Sequence, residues 1–298
     1  MIYRIKEEIL KYFPMELRNS ILSNENIELE DICEIRLRVN RPAILEGREK
    51  EYVVEKDGKK CIVTKEEIAR IFENICENSV YAFSEEISNG FITICGGHRV
   101  GISGKPLYKD GKIYSIKDIS GLNFRVAREI KGVADNIITK IKVKGKFVNT
   151  LIISPPGLGK TTLLRDLVRQ ISDSGYNVSL IDERSEVAGC FLGIPQNDVG
   201  LRTDIMDRVV KADGIKMMVR SMKPNFIATD EIGTDDDAEA IEYALNSGVK
   251  ILATAHGDKV EDLYKSNKMR ELLKFDVFEK IILLGKNGIE VVDRGATM

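Results

Sequence analysis

The sequence predicts an α/β chain in two parts: a largely parallel sheet covered by helices in the C-terminal half, preceded by a smaller α+β domain. Three observations carry this expectation. From residue 151 onward, short apolar runs alternate with helical patterns, which is how parallel strands and crossover helices are written. Before residue 131, alternating strands are punctuated by Asp57-Gly58, Gly96-Gly97 and Asp110-Gly111, dipeptides that suit tight hairpin turns. Between the halves, Gly132 and the lysines at 140, 142, 144 and 146 read as a solvated junction. The expected boundaries are 1–131 for the N-terminal domain, 132–146 for a linker and 147–298 for the C-terminal domain.

In chain order, residues 2–13 read as an amphipathic helix with Ile2, Ile5, Ile9, Leu10 and Phe13 inward, stopped near Pro14. Glu34 to Asn40 alternates, so Ile35, Leu37 and Val39 share one strand face while Arg36 and Arg38 share the other. Those arginines suit either a solvated edge or a cluster aimed at an anion. Thr64-Lys65-Glu66-Glu67 is a capping box opening a helix with Ile68, Ile71, Phe72 and Ile75 inward. Phe91–Cys95 and His98–Ile102 form the clearest hairpin, with His98 expected at the surface or half-buried. Asn123–Arg128 closes the module.

The second domain opens on Leu151-Ile152-Ile153, continues through Ser154, Pro155, Pro156, Gly157, Leu158, Gly159, Lys160, Thr161 and Thr162, and runs into Leu163-Leu164-Arg165. That is strand, loop and helix with Gly-Lys-Thr at the hinge. A loop so wrapped points backbone N–H groups inward, and the helix behind it adds the positive end of its dipole. Residues 154–162 are therefore expected to hold the phosphates of ATP, with Lys160 on the β/γ-phosphates and the Thr161 hydroxyl on Mg²⁺. The phosphate-loop pattern starts with Gly where this chain has Ser154, and serine can make the turn only at negative φ.

Later strands end in polar residues: 177–181 at Asp182-Glu183, 226–229 at Asp230-Glu231, and 249–254 at Ala255-His256. Ligands of parallel α/β sheets sit outside the carboxyl ends of the strands, so Lys160, Glu183, Asp230, Glu231 and His256 are expected on one edge. Asp230 is expected to hold Mg²⁺ or its water, Glu231 to polarise the attacking water, and His256 to sense the γ-phosphate. Glu183 is the alternative base or a partner of the metal's ligands. Asp182 and Glu186 fit surface roles equally well, and Arg202 and Arg220 fit either finger or salt-bridge roles. A helix over 236–245, stopped by Asn246-Ser247-Gly248, and a terminal hairpin at 281–292 complete the sheet.

Composition narrows the functional classes. Forty-five Lys and Arg against 47 Asp and Glu give a formal charge of −2, which argues against a nucleic-acid-coating protein. Five scattered cysteines and two histidines offer no C-x-x-C pair and no histidine metal centre. With no long apolar run and acids interrupting the N-terminal apolar positions, a cytoplasmic chain is expected, reaching a membrane only peripherally through partners.

The phosphate loop, the acidic Asp182-Glu183-Arg184-Ser185-Glu186, the run from Arg220 through Pro224-Asn225-Phe226 to Glu231, and Thr254-Ala255-His256-Gly257 stand in the order found in secretion-type ATPases. The chain resembles those traffic ATPases of type II and type IV secretion and type IV pili, and within them a branch from endospore-forming bacteria. The likeness spans about residues 30–285. It implies a RecA-like P-loop NTPase core hydrolysing ATP with Mg²⁺, assembled as a ring, expected to be a hexamer. It further implies membrane channel proteins of a sporulation secretion-like apparatus as partners. It also implies that N-terminal-domain arginines reach the nucleotide, here Arg99 and Arg125 ahead of Arg36, Arg38 and Arg128. Two departures stand out: Asp230 replaces the usual Gly before the acidic residue, and Ile232-Gly233-Thr234 lacks the arginine expected after it. The rival expectations are a nucleic-acid-dependent RecA- or AAA-type ATPase and an ATP-binding switch or scaffold with negligible turnover.

Overall fold

A computed structural model of the chain describes residues 5–24, 26–77, 79–257, 259–260, 262, 270, 277–285 and 288–293. The chain divides into two compact units, Met1–Arg128 and Glu129–Met298.

The first unit opens on a wide π-helical turn, Ile5–Ile9, and a tight 3-10 turn, Leu10–Tyr12, where an even helix over 2–13 is expected. The uneven winding buries Ile5, Ile9, Leu10, Tyr12 and Phe13 together, more apolar positions than one regular helical stripe carries. Pro14 then precedes α1 (Met15–Leu22). Strands β1 (Glu34–Arg38), β2 (Ile44–Glu46) and β3 (Glu51–Val53) are followed by α2 (Lys65–Ile75), α3 (Ser84–Ser88), β4 (Phe91–Ile94), β5 (His98–Lys109) and β6 (Lys112–Arg125). They form one antiparallel sheet in the order β3-β2-β1-β6-β5-β4. The capping box of α2 is closed on both sides, Glu67 N–H to Thr64 Oγ1 and Thr64 N–H to Glu67 Oε2. Gly96 and Gly97 both take positive φ, 86° and 74°, in the three-residue loop between the paired Ile94 and His98, a left-handed conformation that glycine takes without steric cost.

His98 departs from its expected exposure. It is fully buried, with Nδ1 accepting the Ala127 N–H at 2.9 Å and Nε2 2.9 Å from Glu8 Oε2. Partners 29 and 90 residues away in sequence give spacing no means of announcing this burial.

Residues 132–146 do not behave as a linker. Ala134, Ile137 and Ile141 are buried in the same cluster as Leu163, Leu164, Leu167 and Ile171, and Ala134 N–H donates to the buried Asp166 carboxylate at 2.9 Å. The lysines that suggested solvation interleave with an apolar i, i+3, i+7 stripe, so the second unit begins near residue 129.

That unit holds β7 (Thr150–Ser154), α4 (Lys160–Asp173), β8 (Val178–Asp182), β9 (Thr203–Asp207), α5 (Lys211–Ser221), β10 (Phe226–Thr229), α6 (Asp235–Asn246), β11 (Lys250–His256), β12 (Lys280–Gly285) and β13 (Gly288–Asp293). Its sheet runs β9-β8-β10-β11-β7-β12-β13, parallel except for the final β12/β13 pair. β7, β8 and β10 are buried throughout, because apolar clusters cover both faces of the sheet. Among the described residues no helix is long and apolar enough to cross a membrane.

Candidate nucleotide site

Strands β8, β10, β11 and β7 are consecutive neighbours in the sheet, so their carboxyl ends present Asp182, Asp230, His256 and Ser154 along one edge. The loop from β7 to α4 takes positive φ at Gly157 (76°) and Gly159 (89°), while Ser154 does not. Ser154 ends the strand with its Oγ donating to Pro155 O. The missing first glycine is thereby accounted for: the turn is made three and five residues later, where glycine is present. At Gly157 and Gly159 no neighbouring atom lies within 4 Å of where a Cβ would stand, so backbone strain, not crowding, selects glycine there.

Lys160 is buried, yet its Nζ contacts Glu231 Oε1 at 3.4 Å and lies 3.5 Å from His256 Nδ1. Glu231 in turn pairs with Arg184, Nη1 to Oε2 at 2.7 Å. The expected phosphate-binding lysine, base and sensing histidine thus meet at one point. Glu231 sits at φ +44°, a left-handed conformation that costs a non-glycine residue about 1–3 kcal/mol and persists only where its surroundings fix it. Its N–H donates to Thr254 Oγ1 at 2.8 Å, and its carbonyl accepts from Lys211 Nζ at 2.9 Å. Lys211 Nζ also lies 3.4 Å from Glu183 Oε2.

Asp230 is buried beside this group. Burial pushes its carboxyl up to about 6, the Asp182 charge adds to the rise, and Lys211 opposes it. Among the described residues no cluster of three acidic, histidine or cysteine donors could hold a metal alone. One hydroxyl and one carboxylate beside a phosphate cradle are the donors Mg²⁺ uses when phosphates complete its shell. Thr161, half-buried at the start of α4, and Asp230 fit that description.

Asp182 has a different task. Its carboxylate accepts the N–H groups of Glu186, Val187 and Ala188 at 2.7–3.0 Å, closing the loop after β8. Arg165, on α4, donates to Val187 O and Glu186 O from the other side. Arg220 lies over the Tyr243 ring and hydrogen-bonds its hydroxyl, while Arg202 is exposed. Lys211, Arg184 and Arg165 are the residues that sequence reasoning missed. Arg184 stood in a quoted acidic motif, whereas nothing local marks Lys211.

The arginines of the first unit divide in two. Arg36 is held by Glu34 (2.6 Å) and Glu46 (2.5 Å), and Arg128 donates to the carbonyls of Glu30, Asp31 and Ile32. Arg99 and Arg125 lie directly opposite each other on β5 and β6. Arg99 stacks over Phe91 at 5.1 Å, and the exposed Arg125 is 3.8 Å from Glu34. Beside them an open cleft of about 360 Å³ is lined by Arg36, Arg38, Asn123 and the small residues Gly101, Ser103 and Gly121.

A phosphate loop at the carboxyl edge of a parallel sheet, preceded by a smaller antiparallel α+β unit, gives the chain a P-loop α/β fold with an added N-terminal domain. Solved structures share it: the ATPase DotB of Legionella pneumophila (TM-score 0.56, 17% identity, 85% of this chain and 72% of that one) and the pilus retraction motor PilT with bound ADP (TM-score 0.56, 15% identity, 95% and 81%). At such identities the likeness is one of fold. The chain belongs to the family Sporulation stage III, protein AA, whose family model matches residues 3–295. Stage III sporulation protein AA of Bacillus subtilis (strain 168) is 36% identical over 284 residues, 94% of this chain and 91% of that protein.

Proposed function

We propose that the chain is an ATP-hydrolysing motor of a secretion-like channel complex acting during endospore formation, working as a ring with membrane channel proteins. The observation that carries this reading is the meeting of Lys160, Glu231 and His256 at the mouth of the phosphate loop. ATP lies along residues 154–162, with Lys160 neutralising the β/γ-phosphates. Thr161 and Asp230 would hold Mg²⁺, which would supply positive charge against the phosphate oxygens. Glu231 takes a proton from the attacking water as it adds to the γ-phosphorus, and the bond to the bridging oxygen breaks, releasing ADP. His256 contacts the γ-phosphate. Arg99 and Arg125 provide positive charge for the transition state in the assembled ring. Family membership supports the sporulation setting, and the fold supports the nucleotide.

Steady-state hydrolysis together with binding of a non-hydrolysable ATP analogue tests this. Glu231→Gln should keep analogue binding and lose about 10²–10⁴-fold in kcat, while Glu183→Gln retains most turnover. The reverse ranking moves the base to Glu183.

A further inference from the structure

Lys211 is the first residue of α5, and local rules do not favour it there. The preceding Val210 makes no side-chain cap, a cation at a helix N-terminus opposes the dipole, and lysine is almost never buried unless paired. Yet its side chain is only 6% exposed. Such a conflict between local preference and observed placement is expected where a functional site overrides the fold.

Its surroundings identify the task. Nζ donates to the carbonyl of Glu231, whose N–H is held by the fully buried Thr254 hydroxyl. The strained Glu231 residue is thus gripped at both polar backbone atoms, by groups on two different elements. The same ammonium faces Glu183 at 3.4 Å. Glu231's own carboxylate is left to Lys160 and Arg184 at the phosphate loop.

The geometry points to Lys211 as a positioning residue of this site: it fixes the Glu231 backbone so that the carboxylate faces the γ-phosphate position, and it engages Glu183 as a counter-ion. The inference rests on the reading of Glu231 as the group that polarises water. It explains why two acids at one edge differ in role, since Lys211 faces the side chain of one and the backbone of the other.

The test uses full-length wild type, Lys211→Met and Lys211→Arg, with kcat, KM, affinity for a non-hydrolysable ATP analogue, and amide hydrogen exchange over residues 229–233. Lys211→Met should lose about 10²-fold in kcat, the scale of misplacing a reacting group by about 1 Å, with KM and analogue affinity near wild type. Exchange over 229–233 should quicken while α4 stays protected, and Lys211→Arg should recover most of both. Should Lys211→Met fail to fold, Thr254→Val releases the other side of the same peptide and should show the same selective loss. Unchanged kcat, or kcat and analogue binding falling together in a folded variant, overturns the inference. A wild type that binds the analogue without turnover removes the hydrolase reading alone. In that case unchanged exchange over 229–233 in Lys211→Met still overturns the clamp, and quickened exchange restored by Lys211→Arg upholds it.

Discussion

The charged residues of the two units are organised on opposite principles. In the second unit, groups from the ends of β8, β10 and β11 and the starts of α4 and α5 converge on one sheet edge and contact each other there: Lys160, Glu231, His256, Arg184, Lys211 and Glu183. In the first unit, arginines are spread along neighbouring strands, and Arg36 and Arg128 are engaged by nearby acids and carbonyls of their own unit. Convergence can be read as a site from one chain. A dispersed row cannot; under the proposed ring, its meaning depends on what it faces there. Arg99 and Arg125 keep exposed or half-buried guanidinium groups, and they are the members of that row suited to act outside their own unit.

The sharpest way to break this contrast is Arg125→Ala. A transition-state arginine is worth about 10³–10⁵ in rate, so turnover in the assembled state should collapse on that scale while analogue binding persists. Arg36→Ala is the internal control: it should leave turnover in place and cost about 1 kcal/mol of stability or less, as partly exposed ion pairs do. Full activity in Arg125→Ala dismisses that residue as a finger.

A smaller effect sharpens the other side of the comparison. In the folded chain Asp230 keeps its proton up to about 6, whereas an unfolded aspartate ionises near about 3.9. A raised folded value means the ionised group costs stability above that range, and the cost fades as pH falls from about 6 toward about 4. Asp230→Asn should therefore stabilise the nucleotide-free protein by roughly 1–3 kcal/mol near neutral pH, with little gain near pH 4. The same variant should bind Mg·ATP more weakly. Thermal unfolding across that pH range decides it, and a lower melting temperature at neutral pH contradicts the burial account.

Much of this was legible in the sequence because it is locally encoded. Gly157, Gly159 and Lys160 form a loop within a few residues, Gly96-Gly97 sets a turn, and Thr64 with Glu67 starts a helix, each by contacts inside one short window. What escaped was set at long range. Asp182 fits a site or a surface role equally well by sequence, yet it is buried and caps its own loop. His98 is buried by residues from the chain's beginning and from beyond β6. Lys211 acquires its role from Glu231, 20 residues on. The lysines at 140–146 concealed an apolar stripe that packs on α4. Alternating charge on a surface turn and on a true linker look the same until a partner helix is present.

Titration calorimetry of the intact, folded chain with Mg·ATP, comparing wild type with Lys160→Ala, tests the phosphate site most directly. Wild type should take up the nucleotide, and removing the ammonium that faces Glu231 should abolish or severely weaken uptake. No uptake by wild type, or equal affinity in the variant, would contradict the account.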